Sequence, residues 1–194
     1  MKNIMEACDM NHCGTQEIES ERLLLRKFEE NDAELMYKNW ANDTEVTQFL
    51  TWPAHESSDE TRSLLKNGIL SYEDPDTYRW CIVLKETGEP IGSISVVSIS
   101  TRVESVELGY CIGKEYWNKG FMTETLKEIV FFLFKDIGVN RIEAHVDPRN
   151  AGSGKVLEKS GLTYTGLRRQ VAINNTGLCD IMTYEIIRQD YSSL

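Results

Sequence analysis

Tyr116-Trp117-Asn118-Lys119-Gly120-Phe121-Met122-Thr123-Glu124 decides how the chain folds, because the sequence changes period across it. On its N-terminal side, residues 103–112 read as a strand. On its C-terminal side, Met122, Leu126, Ile129, Val130, Leu133, Phe134 and Ile137 recur at spacings of three and four, an amphipathic helix that Gly138 closes. Gly120 lets the backbone turn and approach a ligand with no Cβ in the way. The amides that follow it are free at a helix N-terminus, a setting that suits a phosphate or pyrophosphate, and Lys119 can add a charge. One glycine before a helix serves an ordinary strand-to-helix turn equally well.

Upstream, the pattern gives three sequential strands. Residues 78–84 and 91–99 flank the turn Glu86-Thr87-Gly88-Glu89, and 103–112 follows, which predicts an antiparallel meander. Before them lie a short strand over 22–26, a helix capped by Asn31 or Asp32 and carrying Ala33, Leu35, Met36 and Trp40, and a second helix opening at Ser57-Ser58-Asp59-Glu60. Downstream, 141–146 is a strand, 151–159 a helix stopped by Gly161, and strands are expected over 163–165 and 179–187. This order predicts an α/β (α+β) fold: a mixed, mostly antiparallel sheet of about seven strands flanked by about four helices. Residues 1–17 show no periodicity and are expected to form a flexible N-terminal extension, leaving 18–191 as a single domain.

The composition agrees. The 194 residues are 41% hydrophobic and 27% charged, enough for one core and too apolar for whole-chain disorder. The net charge of −10 speaks against a nucleic-acid binder, and no apolar run is long enough for a membrane span. Five scattered cysteines and a start without an apolar block point to the cytoplasm. Cys8, His12 and Cys13 invite a metal reading, but no second ligand pair follows at the right spacing, so no metal is expected. The charge is uneven: residues 114–169 carry ten Lys/Arg against seven Asp/Glu, in a chain that is otherwise acidic. A polyanionic ligand on that block, with a cationic partner facing the front half, would explain the asymmetry.

Asn150-Ala151-Gly152-Ser153-Gly154-Lys155-Val156 looks like a P-loop but fails it twice. Arg149 fills the first glycine slot and Val156 the final Ser/Thr slot. Two glycines in one helical turn cost about 1 kcal/mol each, and they read as room for a close-lying ligand.

Taken together, these segments resemble the GNAT acetyltransferases, and within them the Rim-type ribosomal-protein N-acetyltransferases. The match runs in order through Glu19-Ser20-Glu21-Arg22-Leu23-Leu24-Leu25-Arg26, Glu107-Leu108-Gly109-Tyr110, the segment around Gly120, Arg141-Ile142-Glu143-Ala144, and Asn150 to Gly161. Trp117 and Met122 replace the first and last residues of the family's Arg/Gln-x-x-Gly-x-Gly/Ala signature, at contacts made mostly by backbone. The resemblance implies acetyl-CoA as cosubstrate, held between two splayed strands. The backbone of Tyr110, Cys111 and Ile112 would pair with the pantetheine arm. The amides of Asn118, Lys119, Gly120, Phe121, Met122 and Thr123 would hold the pyrophosphate. Asn150 would bind the pantetheine region, and Ser153 would lie near the thioester sulfur. Lys155 and Lys159 would meet the adenosine phosphates.

The implied reaction is amine attack on a thioester, and it needs an oxyanion donor, a proton for the thiolate and a base. A strand amide near Cys111 is the expected donor and Ser153 the expected acid. Leu157 stands where many of the superfamily place a tyrosine, and Ala172 where Rim-type relatives carry a glutamate, which leaves Glu107 as the expected base. An α-amine of pKa ~8 is roughly a tenth neutral at pH 7, whereas a lysine of pKa ~10.4 is neutral in under about a thousandth of molecules. A weak base therefore suits a protein N-terminus or a small-molecule α-amine. The alternatives are a polyamine or aminoglycoside acetyltransferase, or a non-catalytic CoA-binding module, as a monomer or homodimer with neither nucleic acid nor membrane as partner.

Overall fold

The computed structural model describes residues 10–191. Among them, eight strands form one open sheet in the order β1-β2-β3-β4-β5-β6-β8-β7. The strands are β1 Ile18–Glu19, β2 Leu23–Arg26, β3 Arg79–Leu84, β4 Glu89–Ser100, β5 Ser105–Ile112, β6 Arg141–Val146, β7 Thr163–Asn174 and β8 Gly177–Ile187. The helices are α1 Ala33–Met36, α2 Thr44–Thr47, α3 Ser58–Leu70, α4 Phe121–Phe132, α5 Ala151–Lys159 and α6 Arg188–Tyr191. The strand beyond the expected seven is the two-residue β1, and the helices beyond the expected four are the single turns α2 and α6. None is long enough for a periodic pattern to register.

One joint in the sheet places the site. Every neighbouring pair is antiparallel except β5 and β6, which run parallel from Ser105/Arg141 to Leu108/Ala144 and then stop pairing. Both strands continue past that point, β5 to Ile112 and β6 to Val146, so the sheet opens there. The larger core lies between the sheet and α4 and α5, with Leu108, Leu126, Ile129, Ile142 and Leu157 inside it. A second core packs Phe28, Met36, Trp40 and Leu65, from α1, α3 and the segment before them, on Cys81, Val83 and Cys111 of the opposite face. Alternating strand residues supply the two faces: even numbers of β5 and β6 face α4, and odd numbers face α1–α3.

Two expectations differ from the structure in extent. The terminal strands are longer than 163–165 and 179–187, and together they form a long hairpin. Its outer strand β7 is an edge whose residues 167–171 are exposed, so backbone pairing with β8 holds it without an apolar pattern. In the segment expected as an extension, residues 10–17 lie against the domain. Met10 is buried, the Asn11 amide donates to the Ile137 carbonyl at 2.8 Å, and Gln16 accepts from the buried Trp80 indole at 2.6 Å. Residues 1–9, Cys8 among them, lie outside the described residues. The other two members of that cysteine–histidine group do other things: His12 sits 3.1 Å from the Tyr78 hydroxyl, and Cys13 is a free thiol. No described helix is long and apolar enough to cross a membrane, and no group of His, Cys, Asp and Glu among the described residues is placed to hold a metal.

Candidate active site

A cleft of about 580 Å³ opens where β5 and β6 part. Its walls include Tyr110, Cys111 and Ile112 of β5, Asn118 and Gly120 to Thr123 at the head of α4, and Asn150, Ser153, Lys155 and Lys159 of α5. Gln48, Phe49 and Leu50, just after α2, close it from the other face of the sheet. The site residues expected from these distant segments thus line one cleft, with two exceptions among the side chains. Lys119 is not part of the lining; its ammonium sits over the Tyr116 ring, 5.8 Å from the centroid. Glu107 also lies outside the lining, and its carboxylate is 3.1 Å from Nδ1 of His145.

The head of α4 is built by backbone conformation. Asn118 and Gly120 both take positive φ, 59° and 82°, so the chain turns sharply twice around Lys119. No side chain caps α4, and its first amides face the cleft unspent. The loop is pinned from the turn between β1 and β2. Glu124 accepts from the Ser20 hydroxyl at 2.7 Å and from the Arg22 amide at 2.8 Å, and Arg22 also donates to the Lys119 carbonyl at 3.0 Å. Those donors outweigh the cost of burying Glu124 and hold its carboxyl below the usual range.

The ladder fixes which β5 groups face the opening. The Gly113 amide donates to the Ile91 carbonyl at 2.9 Å, which makes Gly113–Ile91 a hydrogen-bonded pair in register with Cys111–Ser93. Cys111 therefore spends its amide on β4, while Tyr110 and Ile112 turn theirs toward the splay. This corrects the expectation of an oxyanion donor at Cys111. Its side chain is no substitute: the thiol packs 3.4 Å from the Ser93 hydroxyl in the second core, and burial pushes its pKa up. At the rim, the Trp117 indole donates to the Ile112 carbonyl at 2.9 Å and occupies one of the two outward-facing acceptors.

Two side chains meet in the cleft in a way the sequence reading missed. The Tyr110 hydroxyl lies 2.7 Å from Oγ of Ser153, joining β5 to the first turn of α5. Burial pushes the phenol far above its ordinary pKa, so it stays protonated and able to donate. Strand alternation carries the signal for this contact, because Tyr110 is two residues beyond the core residue Leu108. Asn150, which lines the cleft, also caps α5: Oδ1 accepts from the Ser153 amide at 3.2 Å, which fixes Ser153 in place.

Beside the cleft, the tip of the β7–β8 hairpin is tied to the segment around α2. The Asn175 side-chain amide donates to the carbonyls of Thr47 and Trp52, at 2.8 and 2.7 Å. Beneath it, the buried Asp147 accepts from Arg149 at 2.6 Å and from Asn174 at 2.9 Å. The Arg149 guanidinium, helped by Asn174, holds the Asp147 carboxyl at about 2.

Comparison with known proteins gives a consistent picture. Residues 22–163 match the family model described as an acetyltransferase (GNAT) domain. The N-acetyltransferase p20 of Bacillus licheniformis is 31% identical over 174 residues, which span 89% of this chain and 97% of that protein. A GNAT-family acetyltransferase from Bacillus anthracis superposes with a TM-score of 0.79 at 24% identity, over 90% of this chain and 99% of the other. A RimL ribosomal L7/L12 α-N-protein acetyltransferase solved with coenzyme A gives 0.79 at 21% identity, over 89% and 98%. The two structural likenesses are likenesses of fold.

Proposed function

The chain belongs to the GNAT acetyltransferase family and is an N-acetyltransferase that uses acetyl-CoA, and we propose that its acceptor is an α-amino group, of a protein N-terminus or of a small molecule. The observation that carries this reading is the Tyr110–Ser153 pair, 2.7 Å apart inside the cleft where β5 and β6 diverge. The outward-facing backbone of Tyr110 and Ile112 fits a pantetheine arm laid along β5, with Trp117 giving way at Ile112. The unspent amides of Phe121, Met122 and Thr123 fit a pyrophosphate, and Lys155 and Lys159 add positive charge beside it. A thioester so held brings its sulfur toward Ser153. The serine hydroxyl protonates the departing thiolate, and the neutral Tyr110 phenol orients it. The Tyr110 or Ile112 amide is placed to meet the developing oxyanion.

The acceptor approaches from the face of α1 and α2, between Phe49 and the hairpin tip. The relative solved with coenzyme A is an α-N-acetyltransferase, which supports an α-amine here. The described cysteines are unpaired thiols, which suits catalysis in a reducing cytoplasm. Titration calorimetry with CoA and acetyl-CoA tests the donor site. Thiol release over a panel of N-terminal peptides, amino-acid amides, polyamines and lysine side chains tests the acceptor. Binding with turnover confined to α-amines is expected; turnover of lysine side chains alone overturns the acceptor assignment.

A further inference from the structure

We propose that His145 is the group that takes the proton from the acceptor amine, with Glu107 as its positioning residue. This rests on the acetyltransferase reading above. Glu143 is opposite Glu107 in the parallel register, so the odd-numbered residues of β5 and β6 share one sheet face, the face of α1 and α2. His145 is the first β6 residue beyond the last β5–β6 pair, Leu108–Ala144, and so stands at the edge of the opening. Gly109, the residue of β5 level with it, has no side chain, and Val97 of β4 packs where one would stand. A Cβ there would come within 2.9 Å of Val97 Cγ1. Tyr110 and Ser153 meet on the opposite face. His145, like Glu107, lies outside the lining of the cleft itself and stands across the sheet from the Tyr110–Ser153 pair, on the face from which the acceptor would enter.

The surrounding charges single out this pair. Glu143 and Glu185, also on this face, are both engaged by Arg141. Glu107 is left to His145, with Nδ1 3.1 Å from its carboxylate. Ser98 of β4, Thr183 of β8 and Arg168 of β7 complete the ring of residues on this face. His145, with Arg168 adding at longer range, keeps Glu107 ionised and below its usual pKa, which makes the carboxylate a poor base but a good anchor for an imidazolium. Both side chains are about one-quarter exposed, open enough to reach a bound amine. The protons balance. An acceptor ammonium passes one proton to Nε2 of His145, which returns it to water. The freed lone pair forms the C–N bond as the C–S bond breaks. The second proton lost by the nitrogen balances the one Ser153 gives to the thiolate.

The test compares two acceptors with wild type, His145→Gln and Glu107→Gln: a peptide with a free α-amine, and hydroxylamine, which is already neutral at pH 7 and needs no base. His145→Gln should lose about 10²–10⁴-fold in kcat/KM on the peptide, together with the imidazole-range limb of its pH profile, while keeping its rate on hydroxylamine and its calorimetric affinity for acetyl-CoA. Glu107→Gln should lower kcat on the peptide by a smaller factor with KM unchanged, because the imidazole loses the carboxylate that orients it. A wild-type pH limb in His145→Gln, or an equal loss on both acceptors, overturns the assignment of the base alone. Failure of the wild-type protein to bind acetyl-CoA overturns the acetyltransferase reading, and this proposal with it.

Discussion

Ser153, the acid of the proposed reaction, is held from two sides. Its amide is spent on the Asn150 cap and its hydroxyl on Tyr110, so its position is set from two elements at once. Ser153→Ala is expected to lower turnover by about 10²-fold while CoA affinity stays within a few-fold, read by thiol release and calorimetry side by side. Loss of CoA binding in that variant would show the serine to be part of the cradle rather than of the chemistry. Cys111 and Tyr110 show what can be read one residue at a time. Both line the cleft, yet the Cys111 amide is spent on β4 while that of Tyr110 turns to the opening, because a ladder alternates which backbone groups it uses and which face each side chain takes. That parity depends on the β4–β5 register, and the register depends on the bulge between Val96 and Ser98, a tertiary feature with no local signature.

Helix α5 shows how an element with poor intrinsic propensity is held. Gly152 and Gly154 weaken its first turn. Gly154 faces the Tyr184 hydroxyl, which would lie 2.9 Å from a Cβ at that position, so the helix packs closer to β8 than any larger residue would allow. The Asn150 cap offsets part of the cost. Asn150→Ala is expected to destabilise the protein by about 1 kcal/mol in urea denaturation, and Asn150→Ser to restore most of it. The hairpin is anchored differently, through Asp147. Its carboxyl, ordinarily near 3.8, is held at about 2 by Arg149, so the folded state gives up its charge later than the unfolded state on acidification. The stabilisation is present in full above the unfolded value and is lost as pH falls from 3.8 through about 2. The stability gap between wild type and Asp147→Asn should therefore be flat at neutral pH and close across that window, measured by denaturant titration at each pH. The sequence marked the turn at Asn174-Asn175-Thr176-Gly177 but not the length of the strands it joins. An exposed edge strand needs no buried stripe, and the stripe is what periodicity detects.

At the scale of the molecule, the order of elements was legible, because long amphipathic segments and a glycine before a helix leave strong marks, whereas the parting of β5 from β6 was implied only by the family resemblance. The attachment of residues 10–17 was not legible, since it runs through isolated contacts such as the backbone hydrogen bonds to Ile137 and Pro75 and the Thr15 hydroxyl donated to the Thr77 carbonyl. The donor cleft draws on α4, α5 and β5 together, so ligand binding should stabilise the whole fold. CoA at a hundred times its dissociation constant is worth about 2.7 kcal/mol, which should raise the melting temperature by roughly 5–10 °C in a chain of this size. A shift absent at saturation would mean that the cradle does not form. The Asn175 bridge to Thr47 and Trp52 bears on what can reach that cradle. It fixes the segment whose Phe49 and Leu50 line the cleft, and on the proposed α-amine acceptor a chain end enters beside that fixed segment more readily than the apex of a folded loop. Mass spectrometry of proteins exposed to the enzyme should accordingly find acetyl marks at chain termini and none on lysines displayed at the crests of structured turns.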